Sequence, residues 1–217
     1  MAPFTGSGNL NNRGSVDVHR PASPSILTLG VNNGKSHMAN LLYVDNSNVW
    51  IEGMHVAAHV SGMAPDVWSA VKGNVCDHNW KLDFGKLFAF AGGDKAEVKK
   101  ATLFGSRPPK NDSLWDAAKR KGFDVVVYDR NVANHEKKID TDIVATMITD
   151  SFEILIIGED EITLVAGDSD YVPAIEKLRK RNIPVHVVFW KHAAKELKEA
   201  ATKFVALDDF LNHLRRS

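Results

Sequence analysis

The sequence has one cysteine, no net charge and no long apolar run, and each absence excludes a class of structure or function. Cys76 has no partner for an internal disulfide and cannot build a zinc site from cysteines, which fits a reducing compartment. Lys and Arg number 27, as do Asp and Glu, so no overall positive charge indicates a nucleic-acid partner. No apolar run reaches the roughly 18 residues of a membrane span, and the N-terminus lacks the basic-then-apolar pattern of a secretory signal. We therefore expect a cytoplasmic protein without membrane contact.

Several common catalytic motifs are absent as well. The sequence contains no HExxH zinc motif, no GxGxxG dinucleotide-binding motif and no GxxxxGK(S/T) phosphate-binding loop. It also lacks the GxSxG turn that carries the nucleophile of many hydrolases. The sequence therefore gives no support for these four kinds of site.

One segment, residues 139–172, carries nine carboxylates and neither Lys nor Arg. Part of it adjoins the apolar run ITLVAG, so some of these acids are expected at the edge of a core. Carboxylates that are crowded in a partly dry place repel one another, and they must take up protons, find basic partners or bind a cation. Because the segment itself offers no basic partner, a divalent metal ion is the leading candidate.

Two further features bear on a nucleic-acid ligand. Residues 97–138 contain ten Lys and Arg against six Asp and Glu, directly before the acidic segment. A basic approach beside an acidic pocket suits a polyanion that meets metal ions, although solvated helix faces explain any single one of these charges equally well. Trp50 and Trp115 are candidates for stacking on bases, provided that they are exposed.

The chain divides into a tail and one domain. Residues 1–39 are rich in Gly, Ser, Asn and Pro and show no sustained apolar period, so we interpret them as a disordered tail. The run Ser36-His37-Met38 resembles a cloning junction, which would make part of this tail vector-derived. Residues 40–217 are predicted to form a single domain with C-terminal helices.

Within this domain, short apolar runs alternate with amphipathic segments. Strands are predicted at residues 41–45, 99–105, 123–129, 162–167 and 185–190. Helices are predicted at residues 48–60, 82–92, 111–122, 139–157, 171–182, 192–202 and 207–215, and residues 61–80 are interpreted as irregular. Strands without internal alternation that are separated by helices indicate a parallel sheet covered on both faces. The predicted fold class is α/β.

Carboxylates follow several of these strands at the end where ligands bind in open parallel sheets. Asp45 ends the first strand, Asp140 lies near the start of the helix after FDVVVYD, and Asp168 and Asp170 follow ITLVAG. Mg²⁺ and Mn²⁺ prefer such oxygen ligands. We therefore predict a metal site made of Asp45, Asp140 and Asp168, with Asp170 as a fourth ligand, bound directly or through water. Taken alone, Asp168 and Asp170 would be turn and cap residues.

A site of this kind polarises a phosphodiester and lowers the pKa of a bound water, which supplies hydroxide for in-line attack. Asn48 lies in the first turn of the helix that follows Asp45. Its amide would orient that carboxylate or donate to a phosphate, at a helix end suited to anions. A plain helix cap explains Asn48 equally well.

Three segments, YVDNSNVW (43–50), IDTDIVATMITD (139–150) and LVAGDSDYVPAIEKLRKRNIPV (164–185), resemble the NYN domain, a branch of the PIN-like nucleases. The likeness covers residues 41–190 in matching order. It implies a Rossmann-like, mostly parallel sheet and an endonuclease that cleaves RNA with Mg²⁺ or Mn²⁺. By position, the family's catalytic acids correspond to Asp45, Asp140, Asp168 and Asp170, with Asn48 as a polar partner.

The resemblance also implies residues that contact the RNA. Lys137 or Lys138 corresponds to a Lys that often precedes the central Asp of the family, and Asn48 is placed to meet a phosphate. Arg107 and Lys110 lie in a stretch that has the look of the family too. These lysines and the arginine would form a basic rim that attracts phosphates.

One position departs from the family pattern. Many relatives have a further acid six residues after the central Asp, where this chain has Thr146, and a hydroxyl is a poorer metal ligand. Asp142 does not replace that acid. Two residues along an ideal helix are about 200° of rotation apart, so Asp142 is expected to face away from Asp140.

Three functional hypotheses follow. The first is a metal-dependent endoribonuclease that acts on single-stranded or structured RNA, with a homodimer or a protein partner helping to select the substrate. The second is a catalytically weak or inactive RNA-binding or scaffolding module, which Thr146 and the neutral net charge favour. The third is a metal-dependent phosphatase or small-nucleotide hydrolase. It is disfavoured because the first strand ends in Asp-x-x-Asn and not in a nucleophilic Asp-x-Asp pair.

Overall fold

The computed structural model describes residues 39–107, 112–129 and 135–217. The predicted tail lies outside this part of the chain apart from its last residue, and so does Lys110. The described residues form a six-stranded sheet in which every pair of neighbouring strands is parallel, with helices packed on both faces. The predicted α/β fold is confirmed. Among the helices of these residues, none is both long enough and apolar enough to cross a membrane.

The strands are separated by one or more helices. The strands are β1 (Ala39–Asp45), β2 (Val98–Arg107), β3 (Asp124–Asp129), β4 (Asp160–Val165), β5 (Val185–Phe189) and β6 (Lys203–Ala206). The helices are α1 (Asn46–Val60), α2 (Val67–Gly73), α3 (Phe84–Gly92), α4 (Ser113–Lys121), α5 (His135–Glu153), α6 (Val172–Lys180), α7 (Lys195–Ala200) and α8 (Leu211–Leu214). Single 3₁₀ turns occupy Lys95–Glu97, Ser169–Tyr171 and Asp208–Phe210.

Two regions differ from the sequence-based prediction. Residues 61–80, interpreted as irregular, contain α2, which begins where the side chain of Asp66 accepts a hydrogen bond from the backbone N–H of Ser69 at 2.7 Å. The C-terminal region contains β6, where no strand was predicted. Because β6 has four residues, begins with Lys203 and lies half-buried at the sheet edge, it offers no apolar run to mark it. The helix predicted over residues 207–215 is a 3₁₀ turn followed by the four-residue α8.

The strand order places β1 in the middle of the sheet. The order is β3-β2-β1-β4-β5-β6, with Asp45 of β1 opposite Phe104 of β2 and Val44 opposite Val165 of β4. The chain builds β2 and β3 on one side of β1 and then crosses to build β4 on the other. The carboxyl ends of β1 and β4 therefore flank a topological switch point, the usual place for a ligand in an open α/β sheet.

The central strand is buried on both faces, which explains its unbroken apolar sequence. Leu42 and Val44 belong to a core cluster on one face, which includes side chains of α1, α3 and α4. Leu41 and Tyr43 belong to a second cluster on the opposite face, which includes side chains of α5 and α6. The helices on the two faces hold the ends of β1 and β4 in place.

Part of the acidic segment has a structural role. Asp150 and Asp160 are buried, and lysines of β2 neutralise them: Lys100 Nζ lies 2.7 Å from Asp150 Oδ2, and Lys99 Nζ lies 2.5 Å from Asp160 Oδ2. The hydroxyl of Tyr43 also donates a hydrogen bond to Asp150 at 2.8 Å. The acidic segment contains no basic partner of its own, but these two acids find theirs in a distant part of the sequence and need no metal ion.

Candidate active site

Asp45 stands at the junction of β1 and α1, which follow each other without a loop. Its Oδ1 atom accepts a hydrogen bond from the backbone N–H of Asn48 at 3.1 Å, so Asp45 itself caps α1. The residue is only 5% exposed. A carboxylate is thus fixed at the positive end of a fifteen-residue helix, at the edge of the core.

Asn48 connects the end of β1 to the segment that follows β4. Its Nδ2 donates a hydrogen bond to Asp168 Oδ2 at 2.8 Å, and its Oδ1 accepts one from the backbone N–H of Gly167 at 2.8 Å. Because both ends of the amide are used across the switch point, Asn48 orients Asp168. The side chain of Asp45, and not that of Asn48, is the helix cap.

Tyr171 joins two further acids of the predicted site. Its buried hydroxyl lies 3.1 Å from Asp45 Oδ2 and 2.8 Å from Asp140 Oδ1. Asp45 Oδ2 and Asp140 Oδ1 are therefore at most 5.9 Å apart, since that is the sum of the two hydrogen-bond distances. Burial and the two negative charges raise the pKa of Tyr171 well above its ordinary value, so the hydroxyl keeps its single proton and donates it to one of the two carboxylates at a time.

Three of the predicted acids influence one another electrostatically. Burial raises the pKa of Asp45 to about 7, and the negative charges of Asp140 and Asp168 add to the rise. The hydrogen bonds from Asn48 and Tyr171 act in the opposite direction, but they do not outweigh burial. Asp45, Asp140 and Asp168 therefore lie within electrostatic reach of one another, although they come from three separated segments.

Two other acids lie near this group without joining it. Asp170 is exposed, in the 3₁₀ turn that ends at Tyr171, and it has no hydrogen bond to the other three acids among the contacts of the described residues. Asp142 accepts a hydrogen bond from the hydroxyl of Tyr128 on β3. It thus faces away from Asp140, as the rotation of the helix predicts.

The basic rim is only partly described. Lys138 is exposed, and its ammonium group lies 4.8 Å from the centre of the Tyr128 ring. The backbones of Arg107, at the end of β2, and Lys137, in the first turn of α5, are on the same side of the site. Lys110 lies outside the described residues. Contact of the rim with RNA remains a prediction for all four residues.

A protein-family model for the NYN domain matches residues 49–208. The chain belongs to the NYN domain family. The matched range contains Asp140, Asp168 and Asp170 and begins one residue after Asn48, while Asp45 lies just before it. The family assigns this chain to the PIN-like nucleases, in agreement with the resemblance of its three segments.

Comparisons with individual proteins say less about this NYN domain than the family model does. No match is found among curated proteins. Among solved structures, the chain is similar to a protein of unknown function from Vibrio parahaemolyticus, with 16% identity and a TM-score of 0.56. The similarity covers 82% of this chain and 98% of the other, and at this identity it shows a shared fold only.

The donor set of the NYN domain fits a hydrated Mg²⁺ or Mn²⁺. Within the described residues, no three His, Cys, Asp or Glu side chains are grouped so as to hold a metal ion by themselves. Mg²⁺ does not need such a cage, because it commonly keeps several waters and takes one or two carboxylates together with substrate phosphates. The site offers only oxygen donors. Burial, and then the charges of Asp140 and Asp168, raise the pKa of Asp45, and a bound cation would stabilise the ionised carboxylate against both.

A pair of histidines on α1 does not form a metal site. His55 and His59 lie four residues apart, the spacing of a zinc-binding pair. The His55 ring contacts Glu52 at 3.3 Å, whereas the His59 ring contacts the carbonyl of Ala64 at 3.3 Å. The two rings therefore have separate partners, and in the described part of the chain no third ligand completes a group around them.

Tyr171 is the site residue that sequence reasoning missed. An aromatic residue directly before an amphipathic helix is typical of a core position, and Tyr171 is indeed fully buried. The feature of the sequence that could have indicated this role is the hydroxyl group of the tyrosine. A buried phenol needs a hydrogen-bond partner, and the nearest polar groups in sequence were the acids already assigned to the site.

Proposed function

We propose that this protein is a metal-dependent endoribonuclease that hydrolyses RNA phosphodiesters at the switch point of its sheet. The observation that carries the proposal is the meeting of Asp45, Asp140 and Asp168, from β1, α5 and the segment after β4, in a chain of the NYN family.

The cation would be Mg²⁺ or Mn²⁺; one or two of Asp45, Asp140 and Asp168 would bind it directly, and the others, with the exposed Asp170, would act through its water ligands. When bound, such a cation neutralises charge on the phosphate and lowers the pKa of a coordinated water. Asn48 keeps the Asp168 carboxylate in place by its 2.8 Å hydrogen bond. Tyr171 does the same for Asp45 and Asp140, so two of the acids are oriented before any ligand arrives.

The basic rim would supply the substrate contacts. Lys138, Lys137, Arg107 and Lys110 belong to the β2, β3 and α5 side of the site by their place in the chain. Their charges would attract the RNA backbone and align a phosphate with the acids. The amide of Asn48 has both ends engaged within the protein, so its role is to position Asp168.

The direct test is cleavage of a circular single-stranded RNA, because only an endonuclease opens a circle. We expect the wild-type protein to linearise the RNA with Mn²⁺ or Mg²⁺ and to leave it intact with EDTA. Cleavage that persists in EDTA would contradict the metal-dependent mechanism. Absence of cleavage with every divalent metal would contradict the enzyme itself.

The second outcome would favour a catalytically weak or inactive RNA-binding module. Thr146, half-buried on α5, is the observation that supports this alternative, because many relatives resembling this chain have an acid at that position. If the wild-type protein binds RNA without cutting it, Thr146→Asp is the variant to measure. Metal-dependent cleavage by that variant would identify the missing ligand as the cause.

A further inference from the structure

Trp68 is exposed to solvent, whereas the other four tryptophans are buried or half-buried. Its side chain is 65% accessible to solvent, whereas Trp80, Trp115 and Trp190 are 0–2% accessible. Trp50 is half-buried, with its ring edge against Phe84. The two residues predicted as stacking candidates, Trp50 and Trp115, are thus unsuited to that role. The large apolar surface of Trp68 faces water, which is unfavourable unless a ligand covers it.

The indole of Trp68 is held in place from one side. It packs edge-on against the ring of His192, with the ring centres 5.8 Å apart and the planes at 75°. His192 is itself fixed, because its Nε2 lies 2.6 Å from Glu52 Oε2 on α1. Asp66 holds the start of α2 one turn away. The exposed ring therefore has a defined orientation before any ligand binds.

Two chains of contacts connect Trp68 to the segments that carry the acid cluster. Glu52, which fixes His192, is four residues after Asn48 on α1, a rise of about 6 Å. The loop that carries His192 is also tied to the site, since the backbone N–H of Ala194 donates to the carbonyl of Gly167 at 2.9 Å. Gly167 directly precedes Asp168. Trp68 is thus joined to the cluster through α1 and through the loop after β5.

We propose that Trp68 is a stacking platform for one unpaired base of an RNA strand whose backbone crosses the acid cluster. This inference rests on the proposed function and adds a substrate requirement to it, namely single-stranded RNA on the Trp68 side. Lys72 is exposed one turn after Trp68 on the same face of α2, where it suits a phosphate next to the stacked base. Lys138 contacts Tyr128 of β3, whereas Trp68 contacts His192 in the loop after β5, and β1 and β4 lie between these two strands in the sheet. An RNA strand that runs from Trp68 to Lys138 would therefore cross the ends of β1 and β4.

The test measures RNA affinity without cleavage. A fluorescein-labelled oligouridylate of about eight nucleotides, within the usual range of single-strand sites, is titrated with protein in Ca²⁺ and in EDTA, and a gel confirms that the RNA stays intact. The full chain is compared with Trp68→Ala and Trp68→Phe. The matched control is Phe152→Ala, because Phe152 is 69% exposed and lies twelve residues after Asp140 on α5, about 18 Å along the helix.

Trp68→Ala is expected to weaken binding roughly 5- to 150-fold, the range for loss of one stacking aromatic. Trp68→Phe should keep most of the affinity, because it keeps a ring, and Phe152→Ala should bind like the wild-type protein. A blunt RNA duplex should show no difference between wild type and Trp68→Ala. Thermal melting of each variant separates lost binding from lost folding.

Equal affinity of wild type and Trp68→Ala for the single strand would overturn the proposal, as would a wild-type protein that binds no single strand. If Trp68→Ala instead changes the oligomeric state and leaves RNA affinity unchanged, the exposed side chains of Val60, Met63 and Trp68 form a protein interface, and the proposal also fails. A stacking effect on binding without any cleavage by the wild-type protein would uphold this inference and contradict the proposed enzyme.

Discussion

The substitution Asp140→Asn is expected to lower the rate of RNA cleavage by about 100-fold or more. The substitution Asp142→Asn should leave the rate within about twofold of the wild-type rate. Both residues lie on α5, two positions apart. Asp140 reaches the Tyr171 hydroxyl at 2.8 Å and raises the pKa of Asp45, so it belongs to the acid cluster. Asp142 binds the hydroxyl of Tyr128 on β3 and faces away from it.

The pair makes a controlled comparison, because each variant removes one carboxylate from the same helix and each keeps an oxygen that can accept the hydrogen bond of its tyrosine. The measurement is the initial rate of cleavage at saturating Mn²⁺, with thermal melting of both variants. Equal losses of rate in the two variants, at unchanged melting temperature, would mean that Asp140 has no special place in the reaction.

Ionisation of Asp45 should lower the stability of the metal-free protein as the pH rises from about 4 to about 7, and Asp45→Asn should remove that contribution. The pKa of Asp45 is raised to about 7 in the folded protein, chiefly by burial. In this pH range the folded state keeps a proton that the unfolded state has released, so the free energy of unfolding falls as the pH rises. The fall ends near pH 7, above which both states are ionised. A shift of this size corresponds to at most about 4 kcal/mol.

Denaturant unfolding in EDTA at several pH values measures this slope. Asparagine can accept the same hydrogen bond from the backbone of Asn48, so Asp45→Asn keeps the cap of α1 while removing the buried charge. Replacement of the exposed Asp116 on α4 by asparagine is the control and should leave the slope in place. An unchanged slope in Asp45→Asn would show that Asp45 is already ionised at low pH. In the wild-type protein, added Mn²⁺ should restore stability at neutral pH.

The sequence was sufficient for the fold because its strongest signals are local. Five apolar runs bounded by amphipathic helices mark five of the six strands, and burial of β1 on both faces explains why its run does not alternate. The strand β6 escaped prediction because a short edge strand is only partly buried. Helix α2 was missed because Gly and Pro occur close to its start, in the interval between Ser61 and Asp66.

The site was predictable where it depends on chain direction alone. Asp45 and Asp168 follow parallel strands, so the carboxyl ends of those strands bring them to one edge. The contacts between distant segments were not predictable. Nothing local indicates that Lys99 and Lys100 neutralise Asp160 and Asp150. The hydroxyl of Tyr171 indicates a polar partner, but not that its partners are the distant Asp45 and Asp140. These pairings arise from the three-dimensional packing of segments that are far apart in sequence.

If the acids at the switch point hold a divalent cation, the wild-type protein should bind Mn²⁺ and Asp168→Asn should bind it more weakly. Asp168→Asn is suitable because the new side chain retains an oxygen that can accept the hydrogen bond from Asn48 Nδ2. Isothermal titration calorimetry should show Mn²⁺ binding to the wild-type protein, weakened by about tenfold or more in the variant. Equal Mn²⁺ affinity of the two proteins, or no binding to the wild-type protein, would contradict the account.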